Sequence, residues 1–153
     1  MERTLNQIKK DLQEIATQHR QINSFFFGDF VDAINQDAVD YTLMTATLQP
    51  GSMGDNFVTV SLSIVIGDKY NVDDYRTIDE VHSDCLQICN DIRITMKQNK
   101  FEEYLSIEGD IATTPFINRG ADMVAGWSMD LTLTVFDSED WCAIPYESYN
   151  FEN

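Results

Sequence analysis

Hydrophobic positions in this chain follow two periods, and their order along the sequence outlines a fold. Beyond Ala121, residues Met123, Ala125, Trp127, Met129, Leu131, Leu133 and Val135 alternate with Gly126, Ser128, Asp130, Thr132 and Thr134. A period of two held this long predicts a half-buried strand, longer than a small monomeric sheet needs. Phe57 to Ile66 alternates as strictly, with Val58, Val60, Leu62, Ile64 and Ile66 set against Thr59, Ser61 and Ser63. Tyr41 to Leu48 reads as another strand. Phe25 to Val31, broken by Gly28, reads as a bulged strand or one ending in a turn. Tyr104 to Glu108 and Ile111 to Ile117 read as short strands joined by a turn at Gly109-Asp110.

The helical period appears twice. Leu5, Ile8, Leu12, Ile15, His19 and Ile22 recur at spacings of three and four within residues 3–22. This narrow apolar stripe suits a single surface, either the chain's own sheet or a neighbouring subunit. Thr77-Ile78-Asp79-Glu80 is a capping-box sequence, and it opens a helix over about residues 77–98. Ile78, Val81, Cys85, Ile88, Ile92 and Met96 form its stripe, and Lys97 and Lys100 suit the negative end of its dipole. Gln49 to Asn56, with Pro50, Gly51 and Gly54, is the clearest loop. Residues 67–76 form an acidic connection, and Asp137-Ser138-Glu139-Asp140 an acidic turn before Trp141-Cys142-Ala143-Ile144-Pro145.

This order predicts an α+β fold: a mainly antiparallel sheet with a long C-terminal strand, one helix packed on the sheet and an N-terminal amphipathic helix. The helix occupies residues 1–24, the core domain 25–146, and a C-terminal arm that orders on contact 147–153. At 153 residues and 43% hydrophobic, the chain can bury one ordinary core.

Charge changes the picture more than size does. The chain has 26 acidic and 10 basic residues, a formal net charge of −16. Arg3, Lys9, Lys10 and Arg20 outnumber Glu2, Asp11 and Glu14 in the first twenty residues, so the negative excess lies in the remainder. Such a body repels phosphate backbones, because nucleic-acid affinity rests largely on Lys and Arg. It also serves solubility. The odd count of cysteines (Cys85, Cys89, Cys142), without a signal-like or membrane-spanning run, implies free thiols and synthesis in a reducing cytoplasm.

Candidate chemistry is sparse. His82, Cys85 and Cys89 share one side of the second helix, but a structural zinc site wants four ligands, and small thiols commonly fill cores. A Cys–His nucleophile conflicts with the apolar stripe that holds both cysteines. Asp68, Asp73, Asp74, Asp79 and Glu80 do not follow calcium-loop spacing. The scattered glycines form no phosphate cradle. The residues point to no catalytic set, no cofactor and no metal.

The succession of cues resembles small structural proteins of tailed bacteriophages. It runs from Gln49-Pro50-Gly51 through strand 57–66 and the Thr77-Ile78-Asp79-Glu80 helix start to Asp122-Met123-Val124-Ala125-Gly126-Trp127 and Trp141-Cys142-Ala143-Ile144-Pro145. The resemblance spans about Gly28 to Pro145. It is to the tail-completion, tail-terminator and head–tail connector group, as in crAss-like and related Bacteroidetes phages. It implies a non-enzymatic virion subunit, made in the host bacterial cytoplasm and located at the head–tail junction. Copies would form a ring of six or twelve, twelve where the ring sits on a portal. Portal and neighbouring connector or tail proteins would be its partners, genomic DNA would pass without specific binding, and no membrane would be involved. By analogy, contacts would come from residues 49–56, 67–76, 118–122 and the chain ends. Candidate interface residues are therefore Leu5, Ile8, Leu12, Ile15, Asp55, Asp73, Asp74 and Arg119. The competing reading is a small acidic module that sequesters a basic partner.

Overall fold

The structure, a computed structural model, describes residues 3–36, 39–71, 77–98, 101, 105–107, 109–118 and 122–148. Helix α1 (Leu5–Gln18) opens with a reciprocal cap: the Gln7 N–H donates to Thr4 Oγ1 at 3.2 Å, and the Thr4 N–H to Gln7 Oε1 at 2.7 Å. Strand β1 (Ser24–Phe27), a short helix α2 (Phe30–Ile34), and strands β2 (Leu43–Gly54) and β3 (Phe57–Lys69) follow. Helix α3 (Ile78–Met96) begins at the expected Thr77–Glu80 capping box, both halves of which are formed. Strands β4 (Leu105–Ile107), β5 (Thr113–Asn118) and β6 (Val124–Phe136) complete the sheet, and a 3-10 turn spans Trp141–Ala143.

The fold is α+β, with a six-stranded sheet ordered β1-β2-β3-β6-β4 and β5 also paired to β6. Only β1 and β2 run parallel; the other pairs are antiparallel. The β3–β6 ladder is unbroken over 13 residues of each strand, from Phe57 opposite Phe136 to Lys69 opposite Val124. This ladder is the spine of the molecule.

The two short strands expected on either side of Gly109-Asp110 are present, and they do not pair with each other. β4 pairs with the Leu133–Val135 part of β6, β5 with its Val124–Met129 part, so they lie end to end along one side. The long template of β6 accommodates both, and the chain between them stays tied through the Asp130 N–H to Ala112 C=O bond at 3.0 Å. Other local expectations change. The segment 49–56 is not a loop. β2 continues through it with a bulge between Gln49 and Ser52, where Pro50 and Gly51 take up one extra residue. Only Asp55 and Asn56 are left to turn, with Asn56 at φ 64°. Likewise β3 extends to Lys69, and Phe30-Val31 begin α2 rather than continue β1.

Both long helices cover the same face of the sheet. Met44, Ala46, Leu62, Ile64, Ile66, Met129, Leu131, Leu133 and Val135 meet Ile8, Leu12, Ile15 and Ala16 of α1 and Val81, Cys85, Ile88, Cys89, Ile92 and Met96 of α3. Each fully buried Leu or Ile contributes roughly 1.5–3 kcal/mol by leaving water. His19 Nε2 lies 2.9 Å from Asp91 Oδ2, linking the helices. The Trp127 indole N–H donates to the His82 carbonyl at 2.9 Å, fastening the start of α3 to β6.

On the opposite face, Thr134 is buried towards one end, and among the described residues α2 is the helix that covers the other. There Phe30 of α2 stands over Gly67 and meets Phe116 edge-on, ring centroids 5.2 Å apart. Gly126 faces Gly67 across the ladder, and a Cβ at Gly126 would lie 1.9 Å from the Ile66 carbonyl oxygen. That close backbone approach requires glycine.

Candidate assembly surface

Away from α2, the outer face of the sheet carries rows of small polar side chains. Thr47, Ser63 and Asp130 stand in one register row, Gln49, Ser61 and Thr132 in the next, and Ser52, Thr59 and Thr134 in a third. Strand alternation puts these residues opposite the core. Asp130 is the one charged residue in these rows, although the chain carries 26 acids.

At the far end of this sheet the apolar pattern outruns its cover. The bulge changes the parity of β2, so Leu48 and Met53 both fall on the helix side, yet neither is sheltered: Leu48 is 46% and Met53 82% exposed. On the other side, Phe57 and Phe136 are direct partners in the last pair of the β3–β6 ladder, and both are exposed. The segment after β6 folds back onto the hairpin turn. The Asn56 N–H donates to Glu139 Oε1 at 2.8 Å, and the Asp137 N–H to the Asn56 carbonyl at 2.9 Å. Trp141 follows, 51% exposed, its ring 6.1 Å from that of Tyr146. Asp55, Asp137, Glu139 and Asp140 rim this tip. Asp137 accepts the Glu139 N–H at 3.0 Å, and that bond holds its carboxyl below the usual carboxylate range. The tip is a ribbon end with apolar side chains on both faces and carboxylates round it.

A groove of about 890 Å³ lies elsewhere, between α3 and the sheet where β5 begins. Leu86, Ile111 and Met129 give it an apolar floor and wall; Arg93, Lys97 and Asp110 supply charge. Arg93 Nε and Nη2 both donate to Asn90 Oδ1, at 3.2 and 2.9 Å, which fixes the guanidinium against the helix.

Groups singled out for chemistry have other partners. Burial pushes the Cys89 thiol up to about 12, so it is neither an available nucleophile nor a ready ligand. His82 Nε2 sits 3.0 Å from the Phe116 carbonyl and its ring packs on Trp127, which makes it a joint between helix and sheet. Among the described residues no group of three or more His, Cys, Asp or Glu side chains could hold a metal ion. At the end of the sheet away from the tip, Tyr41 donates to Asp122 at 3.0 Å and Thr42 to Asp68 at 3.1 Å, with Lys69 over the Tyr41 ring. Burial first, then the bond to Asp122, raises the Tyr41 hydroxyl to about 12. No helix among the described residues is long and apolar enough to cross a membrane.

The interface candidates scatter. Ile8, Leu12 and Ile15 are buried in the core of their own subunit, which removes them as contact residues; Leu5, at the open end of the stripe, is 38% exposed. Asp55 sits at the tip. Asp73, Asp74 and Arg119 lie outside the described residues. Missed were Leu48, Met53, Phe57, Phe136 and Trp141, since alternation alone does not say where a covering helix stops. An aromatic ending each of two strands, next to carboxylates, was the available signal. No family model matches the chain, and no curated protein matches it either.

Proposed function

We propose that this chain is a structural virion subunit that forms a ring at the phage head–tail junction, extending the DNA channel and docking the tail. The observation that carries the reading is the exposed apolar tip formed by Leu48, Met53, Phe57, Phe136 and Trp141. Apolar surface left open at one end of a closed core marks a contact site. The resemblance to connector and tail-completion proteins supplies the location, the six or twelve copies, and the portal-side partners. The three rows of small polar side chains suit passage of a duplex, since the described residues in them include no cation to hold phosphates and a single carboxylate to repel them. Nothing in this role calls for a cofactor or for turnover.

Mass photometry of the purified chain, followed by electron microscopy, tests the proposal. A closed ring that binds the portal protein supports it; a chain that stays monomeric with that portal protein present counts against it.

The second reading, an acidic module that sequesters a basic partner, is favoured by the carboxylates at Asp55, Asp137, Glu139 and Asp140 beside that apolar surface. It gives a small species that grows only with its partner.

A further inference from the structure

We infer that copies of this chain join head to tail, the acidic apolar tip of one seating in the groove between α3 and β5 of the next. The inference deepens the ring reading and rests on it for the closure of the assembly.

Charge decides which surface the tip can meet. Two tips brought together would set Asp55, Asp137, Glu139 and Asp140 of one copy against the same four of another, and like charges at an interface are strongly disfavoured. Nucleic acid is excluded on the same ground. Yet the chain carries a complementary surface. Arg93 and Lys97, two of the few cations beyond the first twenty residues, line a groove that also holds Leu86, Ile111 and Met129. Among the described residues that line the groove, Asp110 is the one carboxylate against the two cations Arg93 and Lys97.

Shape agrees with charge. The tip has Leu48 and Met53 on one side and Phe57 and Phe136 on the other, so a cleft can cover both sides where a flat surface covers one. Tip and groove are different patches, so the contact is heterologous. Such contacts close into rings when the rotation between copies permits.

The test reverses charge on each side separately, in the full-length chain. Arg93→Glu with Lys97→Glu makes an acidic groove; Asp55→Lys with Asp140→Lys puts two cations among the tip's four acidic positions and cancels its net charge. Either pair is expected to lower the assembled fraction at least tenfold by mass photometry, with the thermal melt unchanged for the groove pair. Asp140 also accepts the Cys142 N–H at 3.0 Å, so the tip pair is judged by its rescue. Mixing the two variants, or combining all four changes in one chain, is expected to restore assembly. As a second measurement, Met53→Cys and Leu86→Cys in a Cys142→Ser background should give a disulfide between copies under mild oxidation. Variants that assemble like the parent, without that cross-link, overturn the contact and leave the ring standing. A cross-linked open chain that never closes keeps the contact and removes the ring. A parent that stays monomeric without cross-linking at tens of micromolar overturns both.

Discussion

Pro50 and Pro115 stand on opposite edges of one sheet, Pro50 in the bulge of β2 beyond the four residues paired to β1, Pro115 in β5 opposite Trp127. A proline fits a ladder only where its missing N–H points away from the partner strand, so each removes a donor from an outward edge. Sheets of neighbouring copies are therefore poorly suited to continuing one another, and assembly is steered to side-chain surfaces. Replacing both prolines with valine should restore the edge donors. Light scattering and thioflavin fluorescence at 37 °C are expected to rise in Pro50→Val/Pro115→Val relative to the parent. Unchanged scattering would show that the edges are blunted by something other than proline.

The stripe on α1 divides at its first turn. Leu12 is fully buried, whereas Leu5 is 38% exposed. Truncating a buried leucine costs about 2–5 kcal/mol through lost transfer energy and the cavity left behind. Leu12→Ala should therefore lower the urea midpoint well beyond Leu5→Ala, whose cost should stay under about 1 kcal/mol. An equal, small effect at both sites would mean that α1 does not pack on its own sheet in solution.

These two leucines show how much of the molecule was legible in its sequence. Period alone identified α1, α3, β3 and β6, because apolar spacing reports directly which side of an element meets a core. The Thr77–Glu80 cap was readable because both of its hydrogen bonds are local. What period could not show was the partner of each strand. Gly109-Asp110 read as a turn between two short strands, and nothing in the residues said that β6 is long enough to template β4 and β5 in succession. Pro50-Gly51 looked like a loop because a bulge uses the same residue types as a turn, and only pairing with β3 separates the two. The exposed tip escaped notice for a related reason: Met53 fell in the segment read as a loop and Phe57 at the start of a strand, and whether a helix reaches either is a tertiary fact.

Thr45 offers a test of polar satisfaction. It lies on the outer face of β2, fully buried, and its Oγ1 has no hydrogen-bond partner. A buried hydroxyl left unpaired costs about 1–3 kcal/mol relative to one that is satisfied. Valine has nearly the same shape and no such group. Thr45→Val is expected to raise stability by about 1 kcal/mol, a shift in Tm of about 2–4 °C for a chain of this size. A drop in Tm would show that the hydroxyl is satisfied in solution, by water or by a neighbour.

Alkaline pH should weaken the fold through Cys89 and, to a smaller extent, Tyr41. Burial raises the Cys89 thiol from 9.0 to about 12, and Tyr41 is raised from 10.0 to about 12 by burial and its bond to Asp122. Between those values the folded chain keeps protons that the unfolded chain releases, so stability falls as pH rises. The contribution is complete below pH 9 and disappears as pH approaches 12, at up to ~1.4 kcal/mol per pH unit for each proton retained. Tyr41 is only partly buried, and solvent screening shrinks its share. Cys89→Ala removes the titrating thiol at the cost of a small cavity, which lowers stability by the same amount at every pH. Urea midpoints at pH 8, 9.5 and 11 should thus decline less steeply in Cys89→Ala than in the parent, even though the variant starts lower. Parallel declines would place the thiol within reach of water and remove its role in the alkaline transition.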